Sequence, residues 1–221
     1  MSRQRFAGPA LVLVAAAALA ACGSMLPGKG GMGFFLTSTG PGDGGNLGGL
    51  AGADAHCQKL ATAAGAGQRS WRAYLSAQPA GSQPGVNARE RIGKGPWANA
   101  KGVVVATDVD SLHGANNLSK AAALTETGAG TNGSGDTPNQ HDVLTGSQPN
   151  GSFIAGDANS TCGNWQMNSG GAAMVGHHDK IGLDETVPAK SWNSSHQSRG
   201  CSPDQLKASG GAGLFYCFAA E

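Results

Sequence analysis

Three histidines and an aspartate fall within twenty residues of one another, as His177-His178-Asp179 and His196. Imidazole nitrogens combined with a carboxylate oxygen form a donor set that zinc accepts, so these four are the candidate metal ligands. Adjacent residues in an extended segment point to opposite faces, and His177 and His178 share one ion only if the chain turns between them. The competing role for such histidines is ordinary loop hydrogen bonding. Signatures of catalysis are missing. The chain has no Gly-x-Ser-x-Gly elbow and no His-Glu-x-x-His, and Gly93-Lys94-Gly95 lacks the surroundings of a phosphate loop. The expectation is a protein that is not an enzyme.

The five cysteines divide as one plus four. Cys22 closes Leu19-Ala20-Ala21-Cys22 behind an apolar run from Ala10 to Ala21, with Arg3 and Arg5 ahead of it. This is the pattern of an export signal, and the run is too short for a membrane span, which needs about 20 apolar residues. Small residues followed by cysteine match the bacterial lipobox. Residues 1–21 are therefore expected to be removed and Cys22 to be lipidated, anchoring the chain to a membrane at about 0.8 kcal/mol per buried methylene. Gly23, where an aspartate would retain the protein at an inner membrane, favours the outer membrane of the cell envelope. The other four, Cys57, Cys162, Cys201 and Cys217, are an even number in an exported chain and predict two disulfides. Sequence alone permits three pairings.

Loss of residues 1–21 removes Arg3 and Arg5 and no acid, leaving 13 basic against 14 acidic side chains. A near-neutral chain offers no electrostatic attraction for nucleic acid. With aromatics at 5% and 37 glycines, the core is modest and the loops are many, so cross-links matter more than usual.

The elements that must position the histidines follow from pattern. Residues 22–32 (CGSMLPGKGGM) are glycine-rich without periodicity and read as a flexible tether. Residues 33–221 read as one domain. Gly33 to Ser38 is a first strand, ended by the turn-forming Gly40 to Gly45. Leu50, Ala53, Cys57, Leu60, Ala61 and Ala64 recur at helical steps before Gly65, which puts Cys57 on the apolar stripe. Trp71 to Ser76, Val103 to Ala106 and Asp142 to Thr145 read as strands, and Asn87 to Ile92 as a second short helix. Gly170 to Ser198, which carries the histidines, reads as loop. Leu214 to Phe218 reads as a buried terminal strand. The expected class is α+β: a mixed, mostly antiparallel sheet with two helices.

Taken in order, several of these segments resemble the endostatin-like branch of the C-type-lectin-like fold. They are Gly52-Ala53-Asp54 leading to Cys57, Trp71-Arg72-Ala73-Tyr74-Leu75-Ser76, Gly146-Ser147-Gln148-Pro149-Asn150-Gly151, Cys162-Gly163-Asn164-Trp165, and Leu214-Phe215-Tyr216-Cys217-Phe218. The resemblance spans nearly the whole mature domain. It implies nested disulfides, Cys57–Cys217 outside Cys162–Cys201, the inner one stapling the long loop region where lectins hold ligand. It also offers a calcium-dependent sugar site near Gln148, Asn150, Trp192 and Asn193, with Trp165 as a candidate stacking ring. The competing and favoured reading is a plain turn at Pro149-Asn150-Gly151, with Trp165 and Trp192 filling a small core. Gln148-Pro149-Asn150 and Trp192-Asn193-Ser194 each lack a carboxylate that the lectin motifs supply, so calcium would need acids such as Asp157, Asp184 or Glu185. Endostatin's own zinc site uses N-terminal histidines that have no counterpart in Gly33-Phe34-Phe35-Leu36. Its heparin-binding face is rich in arginine, for which Arg69, Arg72, Arg89 and Arg91 are the candidates here. The resemblance implies a surface lipoprotein that binds a glycan, or an extracellular matrix or other host protein. The alternatives are a calcium- or zinc-dependent lectin and a purely structural envelope protein.

Overall fold

The computed structural model describes residue 1, residues 31–156 and residues 160–220. The export segment, Cys22, nearly all of the tether and Asp157 lie outside these residues.

The last strand, β8 (Gly211–Ala219), organises the domain. Its run Leu214-Phe215-Tyr216-Cys217-Phe218 is buried throughout, as a central strand covered on both faces must be. Its C-terminal half pairs antiparallel with β1 (Phe34–Leu36) and with β2 (Trp71–Ala73), placing Phe35 and Ala73 opposite Cys217. Its N-terminal half pairs in parallel with β5 (Asp142–Leu144), with a register slip between Asp142 and Val143. The sheet continues antiparallel from β5 to β6 (Met174–His177) and β7 (His196–Gln197), giving the order β1-β8-β5-β6-β7. A separate ribbon joins β3 (Trp97–Ala98) to β4 (Val104–Ala106).

Strand alternation divides the core in two. Phe35, Trp71, Leu144, Val175, Phe215 and Cys217 fill one cluster, while Phe34, Leu36, Tyr74, Val143, Tyr216 and Phe218 belong to the other with Trp97 and Trp192. Helix α1 (Gly49–Ala63) covers the first face through Ala53, Cys57 and Ala61, small residues at four-residue steps. Asp54 ties the helix to the sheet by accepting from the backbone N–H of Ala73 at 2.9 Å.

Five helical segments occur among the described residues, where two were expected. Besides α1 and α2 (Ala88–Arg91) there are α3 (Val109–His113), α4 (Cys162–Trp165) and α5 (Pro203–Ser209). The added helices are too short to show an apolar period. Local caps start two of them: Asp108 with Ser111 at α3, and Ser202 with Gln205 at α5, each a reciprocal capping box. The stretch from Gly170 to Ser198 is not all loop, since β6 and β7 lie within it. Both are short and polar or glycine-interrupted, and only their neighbours in the sheet make them strands.

Segment α4 is a left-handed turn. Cys162, Gly163, Asn164 and Trp165 have φ of 46°, 61°, 56° and 66°, a conformation costing L-residues roughly 1–2 kcal/mol each. Several contacts hold it. Trp165 Nε1 donates to Ser76 O at 2.8 Å, and the Asn164 side chain both accepts from Gln78 N and donates to Gln78 O.

The disulfides are nested: Cys57–Cys217 spans 160 positions and Cys162–Cys201 spans 39. The loop-entropy account gives about 5 kcal/mol for the outer bond and about 4 for the inner. Guanidinium denaturation of the Cys57→Ser/Cys217→Ser chain is expected to show several kcal/mol of lost stability. The Cys162→Ser/Cys201→Ser loss comes out about 1 kcal/mol smaller in entropy alone. It is expected to add a local effect, a change in Trp165 fluorescence as the left-handed turn relaxes.

Candidate functional site

Strand register brings the polar residues together. Asp142 on β5 stands directly opposite His177 on β6, and His196 on β7 stands opposite Val175. Val175 and His177 share a face of β6, so Asp142, His177 and His196 form the polar end of a row that begins in the apolar core with Leu144 and Val175. His141, one residue before β5, stacks its ring on His177 with centroids 4.1 Å apart.

Three imidazoles surround one carboxylate oxygen. The Nε2 atoms of His141, His177 and His196 lie 3.2, 3.3 and 3.5 Å from Asp142 Oδ1, and the Nε2 atoms of His177 and His196 are 3.0 Å apart. His141, Asp142 and His177 offer ligand atoms all within 4.8 Å of one another. Asp142 is 3% exposed, yet neither of its carboxylate oxygens has a hydrogen bond of acceptable geometry. A buried carboxylate in that condition is costly unless a cation compensates it.

The far side of each ring fixes its tautomer. His177 Nδ1 meets Ala189 O at 2.7 Å and His196 Nδ1 meets Gln197 O at 3.0 Å. A carbonyl oxygen only accepts, so in the neutral rings both Nδ1 atoms carry the proton and both Nε2 atoms present lone pairs. His141 Nδ1 faces the Asp179 carboxylate at 3.5 Å. Lone pairs facing lone pairs demand a cation, either a proton or a metal ion. Accordingly, Asp142 holds the His196 imidazole above its ordinary range against the opposing pull of burial. Burial pushes the Asp142 carboxyl up, but His177, His196 and His141 outweigh it and leave it below the usual carboxylate range.

Of the four ligands expected from sequence, His177 and His196 meet at this point. His178 turns away, donating from Nε2 to Asn132 O at 3.0 Å. Asp179 stands behind His141 and accepts from the backbone N–H groups of Ser134 and Ile181. His141 and Asp142 complete the cluster. The signal for them in the sequence was an acid opening the otherwise apolar strand Asp142-Val143-Leu144.

The cluster lies against a cavity of about 560 Å³, within the range of small-molecule sites. Besides the three histidines its walls include Ser195, Gln197, Arg199 and Leu183.

The other residues marked from sequence lie elsewhere. Asn193 is buried and donates from Nδ2 to Tyr74 Oη and to the carbonyls of Gln148 and Pro149. The Gln148 amide donates to Phe153 O, and Asn150 Oδ1 caps Ser152. These amides are committed within their own loops. Trp165 and Trp192 are 0% and 5% exposed and belong to opposite core clusters, so neither presents a ring for stacking on a ligand. Each of the four arginines has a local partner: Arg72 and Arg91 pair with Asp54, Arg89 pairs with Asp110, and Arg69 donates to Met32 O.

In comparisons with known proteins, no family model matches the chain and no curated protein matches its sequence.

The raised pKa of His196 contributes stability below the unfolded value of about 6.5, and that contribution is lost as pH rises through the folded pKa. NMR titration of the histidine rings in EDTA is expected to place His196 above an ordinary imidazole and His178, which burial drives down, below one. Asp142→Asn is expected to return His196 toward its ordinary value and leave His178 unmoved.

Proposed function

We propose that the chain is a lipid-anchored protein of the bacterial cell envelope, held by Cys22 in the outer membrane. It presents a C-type-lectin-like, endostatin-like domain that binds a glycan or an extracellular macromolecule without catalysing a reaction. The nested cross-links, a helix bonded to the terminal strand, and a long stapled region after β5 support that architecture.

The observation that carries the binding role is the position of the cavity. The tether enters the sheet at β1, and the cavity lies beside β6 and β7 at the opposite edge. Four strand spacings separate β1 from β7, about 19 Å at about 4.8 Å per step. A domain fastened before β1 turns this cavity away from the anchor, where a ligand outside the cell reaches it. The cavity walls suit such a partner, since hydroxyl and amide groups with one cationic side chain, Arg199, and one carboxylate, Asp184, match a hydroxylated ligand.

Metabolic labelling with a fatty-acid probe is expected to mark the chain and to fail for Cys22→Ala. The purified chain, run on a glycan array and against immobilised matrix proteins, is expected to bind at least one ligand. Ser195→Trp, which fills the cavity, is expected to weaken that binding by more than about tenfold, a loss of about 1.4 kcal/mol. Binding unaffected by Ser195→Trp would move the ligand elsewhere on the domain. Absence of any ligand, with association only to envelope components in a pull-down, would favour a structural role. Loss of glycan binding in EDTA would make the domain a metal-dependent lectin.

A further inference from the structure

We infer that His141, Asp142, His177 and His196 are the protein ligands of a single zinc ion, bound at the inner wall of the cavity. This assignment is independent of what the cavity holds.

Distances give the first argument. Zinc sits about 2.0–2.1 Å from imidazole nitrogen and carboxylate oxygen in tetrahedral sites. The edges of such a tetrahedron are therefore about 3.3–3.4 Å. Four of the six edges, 3.2, 3.3 and 3.5 Å to Asp142 Oδ1 and 3.0 Å between His177 and His196, scatter around that value. His141, Asp142 and His177 form the tightest group, and the more exposed His196 joins it through His177 and Asp142.

The outer shell gives the second. Zinc-bound histidine donates its remaining ring N–H to a carboxylate or a backbone carbonyl, which sets the tautomer and aims the lone pair at the metal. Two rings have such a partner behind them, the carbonyl of Ala189 for His177 and the carbonyl of Gln197 for His196, while His141 Nδ1 faces the Asp179 carboxylate at 3.5 Å without a hydrogen bond. Asp179 is itself held by two backbone N–H groups. His178 has no place in this arrangement, although it neighbours both His177 and Asp179.

The donor set selects the metal. Calcium and magnesium take six or more oxygens, and this site offers one carboxylate and three nitrogens. Imidazole-rich, tetrahedral surroundings suit zinc, with copper and nickel as chemical competitors. The charges also balance better with a metal. One dication beside Asp142 and Asp179 neutralises two carboxylates buried among rings, where protons alone would make imidazolium ions of rings stacked 4.1 Å apart. His196, whose side chain is 41% exposed, and the cavity beside it give the ion a route in.

The lipidated chain, purified in detergent with both disulfides formed and stripped with EDTA, provides the test. Equilibration with zinc followed by elemental analysis is expected to give one zinc per chain. Cobalt(II) is expected to give the intense visible bands of a four-coordinate ion. His177→Ala and His196→Ala are expected to abolish both signals, while His178→Ala retains both. Asp179→Ala is expected to keep the stoichiometry at saturation and to weaken affinity by about 10–100-fold. Zinc is expected to raise the melting temperature of the unaltered chain and of His178→Ala, to raise that of Asp179→Ala only at higher zinc concentration, and to leave His177→Ala and His196→Ala unmoved. His196→Ala guards against a folding artefact, because that side chain is half exposed and its loss leaves both cores intact. A disulfide-intact, cooperatively melting chain that takes up no zinc or cobalt would overturn the assignment. So would a His178→Ala chain that loses the metal while His177→Ala keeps it. Ligand capture on the array, compared with and without zinc, separates failure of the metal site from failure of the binding role.

Discussion

The terminal strand has a neighbour along each edge and a core on each face, and the remaining elements are arranged by what that double burial requires. Alternation sends Phe215 and Cys217 to one side and Leu214, Tyr216 and Phe218 to the other, so each face needs its own cover. The first is closed by α1, whose small residues let it lie close enough for Cys57 to bond Cys217. The second is closed by aromatic rings, with Trp97 meeting Phe218 edge-on and donating its indole N–H to Ala219 O at 3.0 Å. Ten of the chain's twelve aromatic residues lie buried in the two clusters, and among the described residues only Phe153 is partly exposed.

The same strand sets the position of the histidine cluster. Parallel pairing with β5 slips in register at Asp142, the kind of irregularity that redirects side chains beside functional sites. The row Leu144–Val175 is core; one pair further along, Asp142–His177 is polar. Close packing behind β6 then delivers the last ligand. A Cβ at Gly176 would stand 1.9 Å from Trp192 O, so only glycine lets the Trp192 segment cross there and carry His196 into β7. Charge is buried at the end of an apolar row because the sheet ends there and a cavity begins.

Local preference and tertiary demand conflict most openly at Cys162–Trp165. Four successive residues hold left-handed angles, and while Gly163 and Asn164 tolerate that conformation, Cys162 and Trp165 do not. The inner disulfide, the buried Trp165 ring and the Asn164 amide each anchor the turn from outside. Strain of this kind persists where the surroundings over-determine it. The turn anchors one end of the 39-position span that contains β6, β7, His177 and His196, so its rigidity limits how far those two histidines can separate.

Much of the fold was legible in the sequence because its signals are local or strongly periodic. The helix carrying Cys57, the buried terminal strand, the strands at Phe34, Trp71, Val104 and Asp142, and the even number of cysteines all follow from spacing and composition. The capping box and closing glycine of α5 were legible too, but they are signals of termini and escape a search for apolar periods. Strands β6 and β7 were not legible, since four residues with a glycine and a bare His-Gln pair have no strand pattern until neighbours pair with them. The site divides the same way. Residue type singled out His177, His178, Asp179 and His196; the structure turns His178 to Asn132, sets Asp179 behind His141 and brings His177 and His196 together. His141 and Asp142, more than thirty positions away, join them through antiparallel register, and the roles of the rings depend on carbonyls at Ala189 and Gln197 that carry no side-chain signal. Sequence determined which chemistry was available; only pairing between distant strands decided which atoms converge, because hydrogen-bond register is a property of two segments at once.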